Sequence, residues 1–348
     1  MTVSDITLGW LSPNPFEFSG YGHIAAELKR RLERRGITIL PLTRFGWDAL
    51  VICSPPAATL IGPWPRPDVI YHTMFEAEPV PPDWVNVLNR VGMVWVPSHH
   101  SAQVFARAGV ERPMVVGGYG IDPDVFAMVE RPPRDGPYRV LAWGDMLVSR
   151  KNILRTIETF VRAELSDAVL EVKLNDPHLG TTMGVMIEGV PSDRVRIIND
   201  VWSTTQLVDW LTRGDVFLYL SGGEGFGLMP LQAIATGLPV ICAYHTGMRE
   251  YVSETTAFPV PGRGRIESPS LTTRYGMPIT IEEPDWDRAI EWLRWCEQHR
   301  DSARSFGMRA AHVIRQRHTW DHAVDRAVAI LRTFVAANRK SIEQTIML

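Results

Sequence analysis

The chain has 348 residues, of which 45% are apolar and 22% are charged. That length suits two domains of roughly 100–200 residues each, and the ordinary globular composition excludes wholesale disorder. The formal net charge of −3 excludes a global basic field that would draw the protein to nucleic acid or to anionic lipid.

Cysteine usage and hydropathy indicate the cellular compartment and exclude further kinds of site. The three cysteines, Cys53, Cys242 and Cys296, are far apart and have no metal-binding spacing, which argues against a disulfide framework and a structural zinc site. The first residues lack the pattern of a secretion signal, and no apolar run approaches the roughly 18 residues of a membrane-spanning helix. These features predict a cytoplasmic protein without a transmembrane segment.

The first part of the chain alternates between short apolar runs and segments with helical spacing. The runs are mostly continuous, which is typical of parallel strands buried on both faces. We predict strands at residues 6–10, 37–42, 50–53, 69–74, 93–97 and 114–116, and helices at 20–35, 84–90 and 98–108. This alternation indicates an α/β, doubly wound sheet.

A second set of elements follows residues 130–137, a segment rich in Arg, Pro, Asp and Gly that we interpret as a linker and hinge. Strands are predicted at 138–143, 169–174, 195–198, 216–220 and 239–243, and helices at 152–163, 204–213 and 228–236. The polar, Gly- and Arg-rich residues 262–278 predict a loop, and residues 285–348 predict a tail that is helical throughout.

The pattern therefore predicts two Rossmann-like domains in tandem. We place the N-terminal domain at residues 1–132, the C-terminal domain at 137–321, and a last helix, at about 322–348, packed back on the N-terminal domain. Two doubly wound domains that face each other leave a cleft, and ligands of such folds bind at the carboxyl ends of the strands. The loops after strands are where chemistry is expected.

The strongest chemical signal is the glycine-rich turn from Ser221 to Gly227, between a predicted strand and a helix beginning near Leu228. Glycines let backbone approach a ligand closely, and the free N–H groups of a helix start favour phosphate. Glu224 adds a carboxylate, which accepts strong hydrogen bonds from hydroxyls. Phosphate together with hydroxyls indicates a nucleotide sugar, and an ordinary glycine turn that caps a helix is the alternative.

A pair of cations, Arg150 and Lys151, lies at a second turn between a predicted strand and a helix. Cations at a helix N-terminus are unfavourable unless a polyanion offsets them. Because the carboxyl ends of parallel strands share one edge of a sheet, we expect this pair beside the glycine-rich turn. A solvated basic pair is the alternative.

The loop before the first helix is a candidate for substrate contact. Gly20 and Gly22 permit a close approach of the backbone to a ligand, and Asn14 and Tyr21 lie in the same loop. An ordinary strand–helix turn fits the same residues equally well.

His72 and Glu76 follow a predicted strand and are four residues apart. Histidine titrates near neutral pH, and a glutamate beside it can orient it or receive a proton, so the pair is suited to work on a substrate hydroxyl. A hydrogen-bonded structural histidine is the alternative. His99 and His100 have no third ligand nearby in the sequence, so no metal site is predicted.

Taken together, the motifs resemble those of the retaining glycosyltransferases of family 4, which have the GT-B fold of two facing Rossmann-like domains. The resemblance covers nearly the whole chain. It rests on the run E-G-F-G-L-x-P-L-x-A-x-A-x-G-x-P-V-I from Glu224 to Ile241, on Ser149–Asn152, on Val96–Ser98, and on Gly118–Asp122 with Phe126.

The resemblance implies a role for each of these residues. Lys151 would bind the donor diphosphate with Arg150 beside it, Glu224 would contact hydroxyls of the transferred sugar, and His72 would line the sugar–acceptor site. The remaining donor contacts would come from Gly20, Gly22, Asn199, Val201, Gly225, Phe226, Gly227, Leu228 and Gln232. Similar loops in the family line the acceptor, which would place Asn14, Tyr21 and Glu76 on the acceptor side.

Two positions depart from the family pattern. Gln232 stands where a second glutamate usually binds the ribose hydroxyls, and an amide accepts these hydrogen bonds more weakly than a carboxylate. Asp145 stands where an arginine often provides a second cation for the diphosphate, and we expect Arg150 to substitute for it.

The implied activity is a retaining, metal-independent transfer of a hexose from a nucleoside diphosphate sugar to a hydroxyl-bearing acceptor, without a cofactor. A GT-B phosphorylase or epimerase is one alternative, and a catalytically degenerate nucleotide- or glycan-binding protein is another. The sequence leaves open the sugar, the nucleotide, the oligomeric state and peripheral membrane contact. It also leaves open the acceptor, whether glycan, lipid, small molecule, protein or modified nucleic acid.

Overall fold

Two parallel six-stranded sheets form the framework of the protein. The computed structural model describes residues 6–13, 20–44, 46–132, 135–174 and 193–346. The chain divides into two compact units, Met1–Gly120 with Trp320–Leu348, and Ile121–Thr319. Helices flank both sheets, which confirms the predicted α/β fold class.

The first unit contains a doubly wound sheet. Its strands are β1 Thr7–Leu11, β2 Thr38–Leu40, β3 Ala49–Cys53, β4 Arg66–His72, β5 Val91–Val96 and β6 Met114–Val116. Within the described residues its helices are α1 Gly20–Arg34, α2 Ala58–Ile61, α3 Pro82–Leu88, α4 His99–Arg107 and α11 Trp320–Ile346. The order β2-β1-β3-β4-β5-β6 shows that the chain winds first to one side of β1 and then to the other.

The second unit repeats this plan. Its strands are β7 Tyr138–Gly144, β8 Ala168–Leu174, β9 Val195–Asn199, β10 Val216–Tyr219, β11 Val240–Ala243 and β12 Phe258–Val260. The helices described around them are α5 Ile153–Arg162, α6 Thr204–Thr212, α7 Leu228–Ala235, α9 Trp286–Gln298 and α10 Arg300–Arg317. The order β12-β11-β10-β7-β8-β9 places the reversal of winding between β7 and β10.

Continuous apolar runs become strands because both faces of each sheet are covered. Every residue of β3 and of β10 is buried, as expected for parallel strands between helices. In the second unit the core is formed by strand residues packed against helices α5 and α9, among them Val140, Leu170, Val172, Leu218, Ile241, Phe160, Leu293 and Cys296.

Helix α11 belongs to the first unit, although it follows the second in sequence. Arg326 Nε donates to Gly117 O at 2.7 Å, and Asn338 Nδ2 donates to Pro67 O at 3.2 Å. Arg35 of the first unit pairs with Asp321 of this helix at 3.0 Å. None of the helices in the described part of the chain combines the length and hydrophobicity that crossing a membrane requires.

The structure moves the predicted domain boundary from residue 132 to Gly120–Ile121. The segment after Gly120 is bound to the second unit, since Val129 N donates to Thr236 O at 3.1 Å and Arg131 Nη1 donates to the same carbonyl at 2.7 Å. The start of the predicted hinge at 130–137 is thereby anchored, while residues 133 and 134 lie outside the described residues.

Residues 262–278, predicted as a loop, are mostly regular structure. Strand β13 spans Gly262–Glu267, helix α8 spans Pro269–Tyr275, and β14 spans Thr280–Pro284. The two strands pair in antiparallel fashion. The prediction was wrong because all residues of β13 are exposed, so the strand carries charges where an apolar run was sought. The tail predicted as helical throughout consists of three helices, with short breaks at His299 and at 318–319.

Candidate active site

The two charged turns identified in the sequence meet at the switch point of the second sheet. The turn with Arg150 and Lys151 follows β7, and the glycine-rich turn follows β10, its neighbour in the sheet. These are the adjacent strands between which the direction of winding reverses. Open α/β sheets bind ligands at this position because the loops diverge there and leave a crevice.

Local hydrogen bonds shape the turn after β7. Asp145 Oδ1 accepts from Leu147 N at 2.9 Å, so this carboxylate closes its own turn at the position where the family often has arginine. A 3₁₀ turn then spans Ser149–Lys151. Asn152 adopts a left-handed conformation with φ of 54°, which asparagine tolerates, and its Nδ2 donates to Leu220 O at 2.8 Å. The side chain of Asn152 thereby ties this turn to the end of β10.

The glycine-rich turn depends on close backbone approaches. A Cβ at Gly247 would lie 2.2 Å from Gly225 O, so only glycine fits there without a shift of the turn. Gly247 N donates to Glu224 O at 2.9 Å, and Thr246 Oγ1 accepts from Glu224 N at 3.1 Å. Thr246 itself has a φ of 50°, an uncommon conformation for a β-branched residue. Both backbone groups of Glu224 are therefore fixed from the loop after β11.

The carboxylate of Glu224 is the centre of a dense polar cluster. Its Oε1 accepts from Lys151 Nζ at 2.6 Å and from Arg150 Nη1 at 3.0 Å. The same oxygen accepts from Tyr219 OH at 2.8 Å and from Ser221 Oγ at 2.7 Å. The structure thus brings together Glu224, Lys151 and Arg150, three residues singled out in the sequence.

The protonation state of Glu224 follows from this cluster. Burial by itself raises the pKa of the carboxyl, but the positive charges of Lys151 and Arg150 outweigh it and lower the pKa to about 2. Glu224 is therefore ionised at neutral pH although it is only 8% exposed. Charges retained inside a protein need such partners, because an unpaired buried charge costs several kcal/mol.

Helix α7 begins directly after the turn. Gly227, with φ of 88°, is its N-cap and has no side chain to cap the first N–H groups. Tyr251 OH donates to Gly227 O, and the Tyr251 ring packs on Phe226 at 5.6 Å between ring centroids. Gly225 and Phe226 are buried, Leu228 is half-buried, and Gln232 is buried one turn further along α7.

The end of β9 contains two further candidates. Asn199 is the last residue of the strand, and Val201 is 52% exposed beyond it.

Sequence reasoning missed Lys173, which is fully buried in β8. Its Nζ donates to the carbonyls of Leu174 and Asp200 and lies 5.1 Å from the Trp143 ring and 4.8 Å from the Trp202 ring. Burial lowers the pKa of Lys173 to about 8.

A signal for Lys173 does exist in the sequence. The chain has only four lysines, at positions 29, 151, 173 and 340, and the one at 173 interrupts an apolar strand. Together with Glu171 it places two charges in a strand that is otherwise apolar, and charges inside such a strand need partners there.

The surroundings of His72 favour the alternative of a hydrogen-bonded structural histidine over contact with an acceptor. His72 is 0% exposed, its Nδ1 lies 3.0 Å from Trp95 O, and its Nε2 lies 2.9 Å from Tyr119 OH. A carbonyl can only accept, so Nδ1 carries the proton and Nε2 accepts from the tyrosine. Burial lowers the pKa of His72 to about 4. The imidazole is neutral and has no ring nitrogen left for a substrate.

Other residues predicted in the first unit lie apart from any comparable cluster in the described residues. Gly20 and Gly22 are in the first turn of α1, and a Cβ at Gly20 would meet nothing within 4 Å. Tyr21 OH lies 3.1 Å from Thr73 Oγ1, which brings it near the segment that contains the half-buried Glu76. Asn14 lies outside the described residues.

Comparison with known families identifies the class of protein. A model of the GT4-conflict family, described as family 4 glycosyltransferase in conflict systems, matches residues 99–327. The chain belongs to this family. The match spans both charged turns and confirms the resemblance seen in the sequence, so the protein is a glycosyltransferase. No curated protein sequence matches the glycosyltransferase significantly.

Solved structures with similar folds are also glycosyltransferases. Sucrose-phosphate synthase from Thermosynechococcus elongatus aligns over 95% of this chain and 100% of its own, with a TM-score of 0.74 and 14% identity. Anabaena HepE in complex with UDP and glucose aligns over 94% of this chain and 100% of its own, with a TM-score of 0.70 and 14% identity. At such identities the likeness shows the GT-B fold alone.

Metal ligation is a separate question from the family. In the part of the chain that the structure describes, no three His, Cys, Asp or Glu side chains lie close enough together to hold a metal ion. The three cysteines are buried and unpaired with one another.

Proposed function

We propose that this glycosyltransferase transfers a hexose from a nucleoside diphosphate sugar to an acceptor hydroxyl, with retention of anomeric configuration and without a metal ion or other cofactor. The observation that carries the proposal is the cluster of Glu224, Lys151 and Arg150 at the switch point. A cytoplasmic location and an acceptor class still to be found are part of the same prediction.

The two cations suit the leaving group. Cleavage of the bond between the anomeric carbon and the phosphate oxygen leaves negative charge on the diphosphate. Lys151 and Arg150 are already held in place, and preorganised positive charge lowers the energy of such a transition state without reorganisation. The first N–H groups of α7 add a positive dipole end beside them.

Glu224 suits the sugar. Without a ligand its carboxylate is occupied by both cations, by Tyr219 OH and by Ser221 Oγ. A diphosphate that draws Lys151 and Arg150 towards itself leaves carboxylate oxygen available for sugar hydroxyls. We therefore propose that phosphate and sugar recognition are coupled through this carboxylate.

The acceptor proton needs a destination other than His72, whose two ring nitrogens are engaged. We propose that an oxygen of the departing diphosphate accepts it. The acceptor oxygen then forms the new bond to the anomeric carbon on the face that the phosphate leaves, which gives retention. No protein carboxylate forms a covalent intermediate in this scheme.

Uridine nucleotides are the first donors to test, because HepE is known in complex with UDP and with UDP-glucose. Melting temperatures would be measured with UDP, GDP, ADP and their sugars. A ligand at 100 times its Kd stabilises the folded state by about 2.7 kcal/mol. We expect one nucleotide to raise the melting temperature of the wild type and to have almost no effect on Lys151→Met. No rise with any nucleotide would contradict the donor site.

The second candidate, a binding protein without turnover, is favoured by Gln232 and Asp145, the two departures from the family pattern. Hydrolysis assays with the donor that binds would separate the candidates, since many transferases slowly pass the sugar to water. Release of free nucleoside diphosphate that is lost in Glu224→Gln supports transfer. Tight binding without any release supports the degenerate protein.

A further inference from the structure

The segment Gly262–Pro284, which we call the arm, packs against both charged turns of the site. It consists of the antiparallel strands β13 and β14 with helix α8 between them. The family motifs in the sequence do not include it, and its composition predicted a loop. Its contacts with the site are polar and directional.

The first contact is a cluster of three serine hydroxyls. Ser149 begins the 3₁₀ turn that carries Arg150 and Lys151, and its Oγ lies 2.8 Å from both Ser268 Oγ and Ser270 Oγ of the arm. Ser149 N donates to Ser270 Oγ at 3.0 Å, and Ser270 N donates to Ser149 Oγ at 3.3 Å. Ser268 is fully buried. These reciprocal bonds fix both the position and the orientation of the turn.

The second contact links the arm to the glycine-rich turn. Glu282 N of β14 donates to Gly222 O at 2.9 Å, and Gly222 N donates to Arg150 O at 2.7 Å. A Cβ at Gly222 would lie 2.7 Å from Glu282 O, so the close approach of the arm requires glycine. A continuous series of backbone hydrogen bonds therefore runs from the arm through Gly222 to the residue that carries the first cation.

The hydrogen bonds of the arm offset the repulsion between two neighbouring cations. Arg150 and Lys151 are adjacent like charges, both directed at one oxygen of Glu224. Their mutual repulsion, and that of the helix dipole behind them, favours relaxation of the turn towards solvent. Glu224 and the bond from Asn152 to Leu220 O hold the turn from the side of β10. The hydrogen bonds of the arm hold it from the other side.

We propose that the arm is part of the donor site, with Ser270 and Ser268 as positioning residues that hold Arg150 and Lys151 at the place of the second phosphate of a nucleoside diphosphate. The inference rests on the proposed function, because it assumes that these cations bind the donor diphosphate. It assigns to the arm the preference for a diphosphate over a monophosphate.

The test compares binding of UDP and UMP, or of the GDP and ADP pairs if one of those nucleotides binds the wild type. Ser270→Ala should raise the Kd for the diphosphate about five- to tenfold and leave the Kd for the monophosphate within twofold. Ser270→Thr retains a hydroxyl and should restore the wild-type ratio. Ser302→Ala, at an exposed position on α10, is the control and should change neither Kd.

The outcomes separate the inference from the proposed function. If Lys151→Met loses diphosphate binding but Ser270→Ala keeps it, the arm has no positioning role and only the inference fails. Equal losses for both nucleotides in Ser270→Ala would show a general structural role and overturn it as well. If the wild type binds no nucleoside diphosphate, both fail. Should Ser270→Ala not fold, Ser149→Ala and Ser149→Thr provide the same comparison from the other side of the hydroxyl cluster.

Discussion

His72 in the first unit and Glu224 in the second are both ionisable side chains at the carboxyl ends of parallel strands. They are 0% and 8% exposed, respectively, yet their partners differ. His72 lies between a backbone carbonyl and a tyrosine hydroxyl, and its pKa falls to about 4 so that it is neutral. Glu224 lies between two cations, and its pKa falls to about 2 so that it is charged.

The difference separates a structural polar group from a site. A buried neutral group whose hydrogen bonds are all made within the protein contributes to packing and has none left for a ligand. A buried charge held by two oppositely charged side chains can release them to a ligand of its own sign and accept hydrogen bonds from that ligand's hydroxyls instead. We therefore assign the charged cluster to the active site and His72 to the core. Four predictions test this assignment.

The largest effect is expected from Glu224→Gln, which keeps the shape of the side chain and removes its charge. Transfer or donor hydrolysis should fall by about 100-fold or more, comparable with the loss of one preorganised group in other enzymes. The rate of nucleoside diphosphate release would measure it. Glu254→Gln, at an exposed position, is the matched control, and a rate for Glu224→Gln within threefold of this control would break the comparison.

Stability as a function of pH should distinguish the two groups next. In the unfolded chain His72 binds a proton below pH 6.5, whereas in the folded protein it stays neutral down to about pH 4. The free energy of unfolding that neutral His72 contributes is complete above pH 6.5. It is lost as the pH falls towards 4, by up to about 3 kcal/mol. Urea unfolding of the wild type and of His72→Phe should show this as a stability difference that shrinks across that window.

Glu224 has a separate window in the same experiment. Its folded pKa is lowered, so its contribution is present above the ordinary value of 4.5 and is lost as the pH falls towards 2. The wild type should therefore lose stability below pH 4.5 more steeply than Glu224→Gln. Identical slopes for the two proteins would mean that Glu224 is not held by the cations in solution.

A smaller effect is expected from His72→Phe at neutral pH. The change removes the buried hydrogen bonds that the imidazole makes with Tyr119 OH and Trp95 O, and should cost about 2 kcal/mol of unfolding free energy. His72→Phe with Tyr119→Phe should recover part of the loss, because the hydroxyl that lost its histidine partner is removed as well. Activity per folded molecule should stay within about threefold, and a stable but inactive His72→Phe would return the histidine to the active site.

The smallest effect is expected from Gln232→Glu, which restores the usual family residue on α7. A carboxylate accepts hydroxyl hydrogen bonds more strongly than an amide, so the Kd for UDP should fall about three- to tenfold. Calorimetry with UDP and with 2′,3′-dideoxy-UDP provides the measurement, since only the ribonucleotide should gain. An equal change for both would place Gln232 away from the ribose.

The features that sequence predicts well here are those with a local cause. Continuous apolar runs indicate parallel strands, and the order of Gly, Glu and helix after β10 is visible in one short stretch. The cluster of Glu224 with Lys151 and Arg150 follows from two such stretches, because neighbouring parallel strands place their ends together. Contacts between other distant segments are not needed to predict that these charges lie at one edge of the sheet.

The features that sequence misses depend on distant neighbours. His72 is enclosed by Trp95 on the next strand and by Tyr119, and no local pattern reports that enclosure. The two strands of the arm pair through their backbones and carry ion pairs such as Arg265 with Glu282 at 3.1 Å. The exposed strand β13 therefore lacks the apolar alternation by which a strand is recognised. Lys173 was missed because its aromatic neighbours, Trp143 and Trp202, lie on other segments of the chain.

Helix α11 has a consequence for how the protein is made. The first unit is assembled from segments on either side of the second, and α11 covers it through Phe334 near Gly92 and through Arg326 on Gly117 O. Translation delivers residues from the N-terminus onward. The whole second unit therefore leaves the ribosome before the first unit can be completed. The nascent glycosyltransferase can form its charged turns before α11 is available to pack on the first sheet.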